Sequence, residues 1–153
     1  MEQELRAYFF QNTYLQGIHA GIQSQHTTAE LFCKYSVSND PDQPMARTLY
    51  QWADFHKTTI VLNGGYTSNL ERLCTLLDSH PHEYPWACFE ESEDALNGCL
   101  TNVGIILPEK IFNYTRMKQE IEDTGWGDHT MVNSLTPFEI ELAREVSQCR
   151  LMV

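Results

Sequence analysis

The chain has 153 residues and a formal charge of −11, from ten Lys and Arg against twenty-one Asp and Glu. Its length suits one domain that buries roughly 70% of the surface its unfolded chain exposes, and a composition 42% hydrophobic and 20% charged is that of a globular chain rather than a disordered one. The acidic balance argues against broad nucleic-acid binding, whose affinity comes from Lys and Arg displacing phosphate counterions. No apolar run approaches the ~20 residues that span a bilayer. Glu2 and Glu4 beside Arg6 are not the basic start of a secretory leader. The five cysteines are odd in number and lack CxxC spacing, which disfavours a disulfide framework or a zinc ribbon. The expectation is a cytoplasmic protein with reduced thiols, no membrane partner, no metal and no cofactor.

In chain order, Leu5 to Phe10 reads as a strand buried on both faces, with Tyr8 and Phe10 in the core. A helix is expected from Gly21 to about Tyr35 with Ile22, Ala29 and Phe32 or Cys33 inward, then a polar loop from Ser36 to Pro41. Met45 to Phe55 is patterned as a second amphipathic helix and Thr58 to Leu62 as a second strand. The turn Asn63-Gly64-Gly65 leads into a helix from Leu70 to Leu77, with Ser68 and Glu71 placed as a capping box. Tyr84 to Phe89 and Leu100 to Leu107 read as further strands, joined by an acidic connection that closes on Asn97-Gly98. Glu109 to Gly127 is mixed and polar, and Asp128 to Leu135 reads as a loop. Thr136-Pro137-Phe138-Glu139 opens a last helix with Pro at its first position and a second capping box. Its face of Phe138, Leu142, Val146 and Cys149 must dock on the domain, on a second copy, or on a partner.

Three segments carry a resemblance: Tyr14-Leu15-Gln16-Gly17, the helix opening from Gly21 to Ala29, and the run from Asn97 to Pro108. Together they resemble the frame of the type II peptidyl-tRNA hydrolases. In that family a strand enters a Gly-Lys-Gly-Lys-type turn and then a helix with a Gln and, three residues on, a His. A late Asp-Ala-Gly segment precedes a Thr-bearing strand that ends in Pro. The resemblance covers about residues 5 to 112. It implies an α/β fold with a mixed sheet of about four strands and helices packed on it, spanning 1–112, and leaves 113–153 as a C-terminal helical extension. Gly17 matches the turn glycine, Gln25 the helix Gln and Thr101 the strand Thr. Gly21 stands where the family has its Lys, Thr28 where it has its His, and Glu90-Glu91-Ser92 where it has Asp-Ala-Gly. Attack of water on an ester needs a positioned base and donors for the developing oxyanion. The resemblance implies that the family's Lys, His and Asp serve those needs, and they are replaced here.

The retained frame without these groups points to a non-catalytic pocket for a small nucleotide. Amides and aromatics after the first strand, Asn12, Tyr14 and Gln16, suit a base edge and face without a charged surface. Asn63 and Gly64 precede a helix start that favours a phosphate. His19, Gln25, Thr28, Glu90 and Thr101 complete the candidate site. The chain also resembles small proteins of tailed phages, which implies a counter-defence sponge that sequesters an immune signalling nucleotide of the host. One alternative is a divergent hydrolase of peptidyl-tRNA or another nucleotide-linked ester, with His19 or His26 as a relocated base oriented by Glu90 or Glu91. The other is an interaction module whose last helix captures a host protein, so that truncation after Asp128 leaves the core folded. His80-Pro81-His82 and the cluster Glu90, Glu91, Glu93 and Asp94 read as a solvated loop and turn rather than metal sites. A two-fold homodimer is expected of a small binding protein.

Overall fold

Four apolar runs become strands β1 (Leu5–Asn12), β2 (Thr59–Gly65), β3 (Trp86–Glu90) and β4 (Leu100–Pro108), in a computed structural model that describes residues 3–36 and 43–153. They form one mixed sheet of order β2-β1-β4-β3, in which β1 runs parallel to β2 and antiparallel to β4, and β3 antiparallel to β4. Every residue of β4 and all but Arg6 of β1 are buried, the burial that continuous Leu, Ile, Val and Phe runs require when both faces of a sheet are covered. On one face, α1 (Ile18–Lys34) and α2 (Pro44–Gln51) close a core of Leu5, Phe9, Leu31, Leu49, Trp52 and Ile106. On the other, α3 (Thr67–Ser79) and α8 (Pro137–Gln148) close a larger core around Phe10, Leu70, Leu73, Ile105, Leu107 and Leu142. Short helices α4 (Glu93–Leu96), α5 (Glu109–Phe112), α6 (Tyr114–Thr124) and α7 (His129–Ser134) fill the connections. The α/β class and the four-stranded mixed sheet are as expected.

Several local readings are corrected. Gly17, at φ 61°, makes the turn after β1, so α1 begins at Ile18 rather than Gly21. Its buried face is Ala20, Gln23, Ser24, Thr27 and Leu31; Ile22 and Ala29 lie outside it. The second helix gives way after Gln51 to a π-helical turn, Trp52–His56, that ends on Lys57 in the left-handed region at φ 56°. Ser68 is already inside α3, whose N-cap is Tyr66, so the Ser68–Glu71 capping box does not form. The third strand starts at Trp86, the acidic connection contains α4, and the expected loop from Asp128 to Leu135 contains α7. The loop from Ser36 to Pro41 lies, beyond Ser36, outside the described residues.

The last helix behaves as its sequence dictates. Thr136 and Glu139 form the reciprocal capping box, with Pro137 in the first turn. Phe138 and Leu142 are buried, Val146 and Cys149 pack beside them, and the face that had a second copy as an alternative occupant is filled within the chain. Residues 1–112 and 113–153 therefore share one core. Beyond α8 the chain returns along β2: Asn63 N–H donates to the Arg150 carbonyl at 2.8 Å and Met152 N–H to the Val61 carbonyl at 2.9 Å. This short antiparallel pairing covers the open edge of β2, which otherwise presents unpaired backbone groups.

Gly104 fixes how closely α1 approaches the sheet. A Cβ there would lie 2.7 Å from Phe9 Cε1 and 2.8 Å from Thr27 Cγ2, both in the packed interior. Gly104→Ala is expected to lower stability by about 1–3 kcal/mol, through the overpacking that an extra methyl forces on a close-packed core. A reduced urea midpoint with an unchanged slope checks this; an unchanged midpoint would show that α1 moves out freely.

Candidate functional site

One end of the sheet collects most of the candidate residues. There β1 and β2, being parallel, both run out toward helix starts, while β4 begins and β3 ends. Two register irregularities shape this end. Asn12 pairs with Gly65 directly after Gln11 pairs with Asn63, which leaves Gly64 as an extra residue in β2. A Cβ on Gly64 would lie 2.7 Å from Leu70 Cδ2, so only glycine fits beneath α3. In β4, Glu90 pairs with Leu100 after Phe89 pairs with Asn102, and Thr101 is the bulged residue. The bulge turns the Thr101 hydroxyl toward α1, where it donates to Gln23 Oε1 at 2.6 Å. Gln23 Nε2 in turn donates to Glu91 Oε2 at 3.1 Å, completing a chain from the sheet to a surface carboxylate.

The ten candidate residues fall into three groups. Asn12 is an internal strut rather than a pocket wall: only 2% exposed, its amide N–H donates to Thr67 Oγ1 at 3.0 Å and to the Leu100 carbonyl at 3.2 Å, and its oxygen accepts from Tyr14 N–H. Tyr14, Gln16 and His19 are exposed on the turn and first helical turn that follow. Asn63 binds Thr13 Oγ1 at 3.1 Å and accepts from Gly65 N–H, which holds the Gly64-Gly65 turn against β1. These residues stand together. Gln25 and Thr28 lie farther along α1, in a groove of about 490 Å³ whose other wall is Trp52 and Lys57. Thr101 and the exposed Glu90 lie on the β3 side of α1.

Two features of the first group were not read from the sequence. Tyr66, the N-cap of α3, brings its ring to 5.4 Å from that of Tyr14, and the two remain 60% and 78% exposed. The parallel pairing of β1 with β2 makes this contact, since it sets the residues after both strands side by side. Arg150, on the returning tail, lines a cavity of about 360 Å³ with Asn63, Gly64, Gly65 and Asn69, and has no ion pair among the described residues. Both helix starts at this end, Gly17 for α1 and Tyr66 for α3, lack a side-chain cap, and neither first turn carries an acidic residue. Uncapped N-terminal N–H groups with the positive end of the helix dipole favour an anion.

The relocated-base arrangement is not assembled here. His26 stacks on Phe89 at 4.6 Å, and neither His26 nor His19 hydrogen-bonds a carboxylate among the described residues. Elsewhere, His80 and His82 both stack on Phe138, and His82 spends its ring nitrogens on the Leu77 carbonyl at 2.9 Å and the Tyr84 N–H at 3.1 Å. The pair secures α8. Beside it, burial would raise the Glu139 carboxyl, but hydrogen bonds from Lys110 at 2.8 Å, the Tyr84 hydroxyl and Thr136 N–H hold it below the usual carboxylate range. No helix among the described residues is long and apolar enough to cross a membrane. Compared with models of known protein families the sequence matches none, and no curated protein matches it.

Proposed function

We propose that this chain is a small-ligand binding protein, built on a degenerate type II peptidyl-tRNA hydrolase-like frame, that holds a nucleotide at the end of the sheet where β1 and β2 run out. The observation that carries the reading is the exposed Tyr14–Tyr66 pair standing over two uncapped helix starts. Ligands of α/β sheets with parallel strands settle outside the carboxyl ends of those strands. A base stacks on the tyrosine faces, Gln16 and His19 offer polar contacts to its edge or to the sugar, and a phosphate meets Arg150 and the Gly64-Gly65 turn. The scheme needs only a local cationic point, which is compatible with a charge of −11. In a phage setting such a binder acts as a sponge, removing a host signalling nucleotide by mass action. A second reading, hydrolysis of a nucleotide-linked ester, draws on the Thr101-Gln23-Glu91 chain, which leads from a strand bulge to a carboxylate.

The test is a thermal-shift screen against linear and cyclic signalling nucleotides, followed by mass spectrometry of the ligand. A binder at one hundred times its dissociation constant should stabilise the fold by about 2.7 kcal/mol. Recovery of the ligand intact supports the sponge, cleavage supports the hydrolase, and no shift across the panel refutes both. With a binder in hand, Tyr14→Ala and Tyr66→Ala should each weaken binding by about tenfold, because stacking is worth about 1–3 kcal/mol per base. The unliganded melting temperature should hardly move, since both rings are exposed.

A further inference from the structure

The far end of the sheet from Tyr14 and Tyr66, where β1 begins and β4 ends, opens on a cavity of about 430 Å³, within the ~300–1,000 Å³ of small-molecule sites. Leu5, Pro108 and Phe138, all buried, supply its apolar wall. Gln3, Thr48 and Gln51 line it with side chains that make no hydrogen bond among the described residues. Each has a donor and an acceptor to offer a guest. The cavity also reaches Glu139, only 7% exposed, and two side chains that hold its carboxylate, Lys110 and Tyr84.

These three groups set a donor beside an acceptor. Lys110 Nζ donates to Glu139 Oε2 at 2.8 Å, the Tyr84 hydroxyl donates to the same oxygen, and Oε1 accepts from Thr136 N–H at 3.0 Å. An ammonium carries more N–H groups than this one contact uses, and Oε1 and the Tyr84 oxygen keep lone pairs. The charges of Lys110 and Glu139 cancel, while burial and the Glu139 charge push the Tyr84 hydroxyl up and keep it neutral. A charged guest would enter beside this pair without a counter-charge, and its desolvation would outweigh its contacts. A neutral guest avoids that cost. Glu83, the other charge on the cavity wall, is exposed and screened by water.

We propose that this cavity is a second binding site, for an uncharged flat ring with a lactam edge, the ring C=O beside ring N–H that uracil and hypoxanthine nucleosides present. The ring carbonyl accepts from Lys110 and the neighbouring N–H donates to the Glu139 carboxylate, so that one edge satisfies both partners. The ring face lies on the wall of Leu5, Pro108 and Phe138, where flat contact adds apolar area without charge. Gln3, Thr48 and Gln51 meet the sugar and the remaining polar atoms of the ring. The site shares no residue with the one at Tyr14 and Tyr66.

Titration of the folded wild-type chain with uridine and with inosine, followed by amide NMR, tests this. Saturable shifts are expected at Gln51, Lys110 and Glu139. 3-Methyluridine and 1-methylinosine, in which a methyl replaces the ring N–H, should bind there about tenfold more weakly, because the methyl leaves the carboxylate without its donor. Gln51→Leu, which breaks no hydrogen bond in the free chain, should weaken uridine about three- to tenfold at an unchanged melting temperature. Benzoate and benzylamine, flat rings of either charge, should not displace uridine. Shifts confined to Tyr14 and Tyr66, equal affinity for methylated and unmethylated nucleosides, or displacement by either charged ring would overturn the proposal. So would the absence of a saturable shift with both nucleosides.

Discussion

Asn102→Ala is expected to destabilise the protein by about 2–4 kcal/mol, seen as a lower denaturant midpoint. Asn102 is wholly buried in β4, where its amide N–H group donates to Gln11 Oε1 at 2.8 Å and Ser24 Oγ at 3.2 Å, and its oxygen accepts from Thr27 Oγ1 at 2.7 Å. Removal affects the three partners unequally. Ser24 keeps the Ala20 carbonyl, to which it already donates at 2.8 Å, and the single Thr27 hydroxyl proton turns from Asn102 to the Gln23 carbonyl 3.2 Å away. Gln11 Oε1 has no second donor among the described residues, and leaving such an acceptor unpaired in the interior costs about 1–3 kcal/mol. The vacated volume adds a packing loss. Since the orphaned acceptor dominates, adding Gln11→Leu to Asn102→Ala should recover part of the loss. Strictly additive losses in the double variant would show that packing alone was lost.

Truncation after Asp128 is expected to abolish cooperative unfolding, and the shortened chain to aggregate. The deletion removes Leu135, Phe138, Leu142 and Ala143 from the core that Phe10, Leu70 and Leu107 share. Losing Leu142 alone, 1% exposed, should cost about 2–5 kcal/mol in a Leu142→Ala variant. Also lost are the Glu145 carboxylate that Arg72 pairs at 2.6 Å and the tail that covers the β2 edge. A domain stable by about 5–15 kcal/mol does not survive the sum. The experiment is gel filtration and near-ultraviolet circular dichroism of the truncated chain; a monomer with native-like tertiary signal would show that residues 1–128 fold alone. The sequence expectation that the core survives this truncation and merely loses a partner is the outcome the packing of α8 argues against.

The amino-acid sequence by itself determined the four strands, the Thr136–Glu139 box and the inward face of α8, because these depend on residues within a few positions of one another. Its acidity likewise follows from composition alone. The tertiary structure alone decided the face of α1. Periodicity looked for apolar residues and pointed to Ile22 and Ala29, whereas the buried positions are Gln23, Ser24 and Thr27. Those polar side chains are stable inside because Thr101, Asn102 and Glu91, distant in sequence, supply hydrogen bonds to them, Gln11 holds Asn102 in turn, and Gly104 lets the helix come close enough to make them. The candidate site divides the same way. Tyr14, Gln16 and His19 were legible as polar and aromatic residues after a strand, but Tyr66 joined them only through parallel pairing, and Arg150 only through the return of the tail along β2. Apolar burial depends on each residue's own side chain and leaves a local pattern; satisfaction of a buried polar group depends on its partner, which only the fold brings within reach.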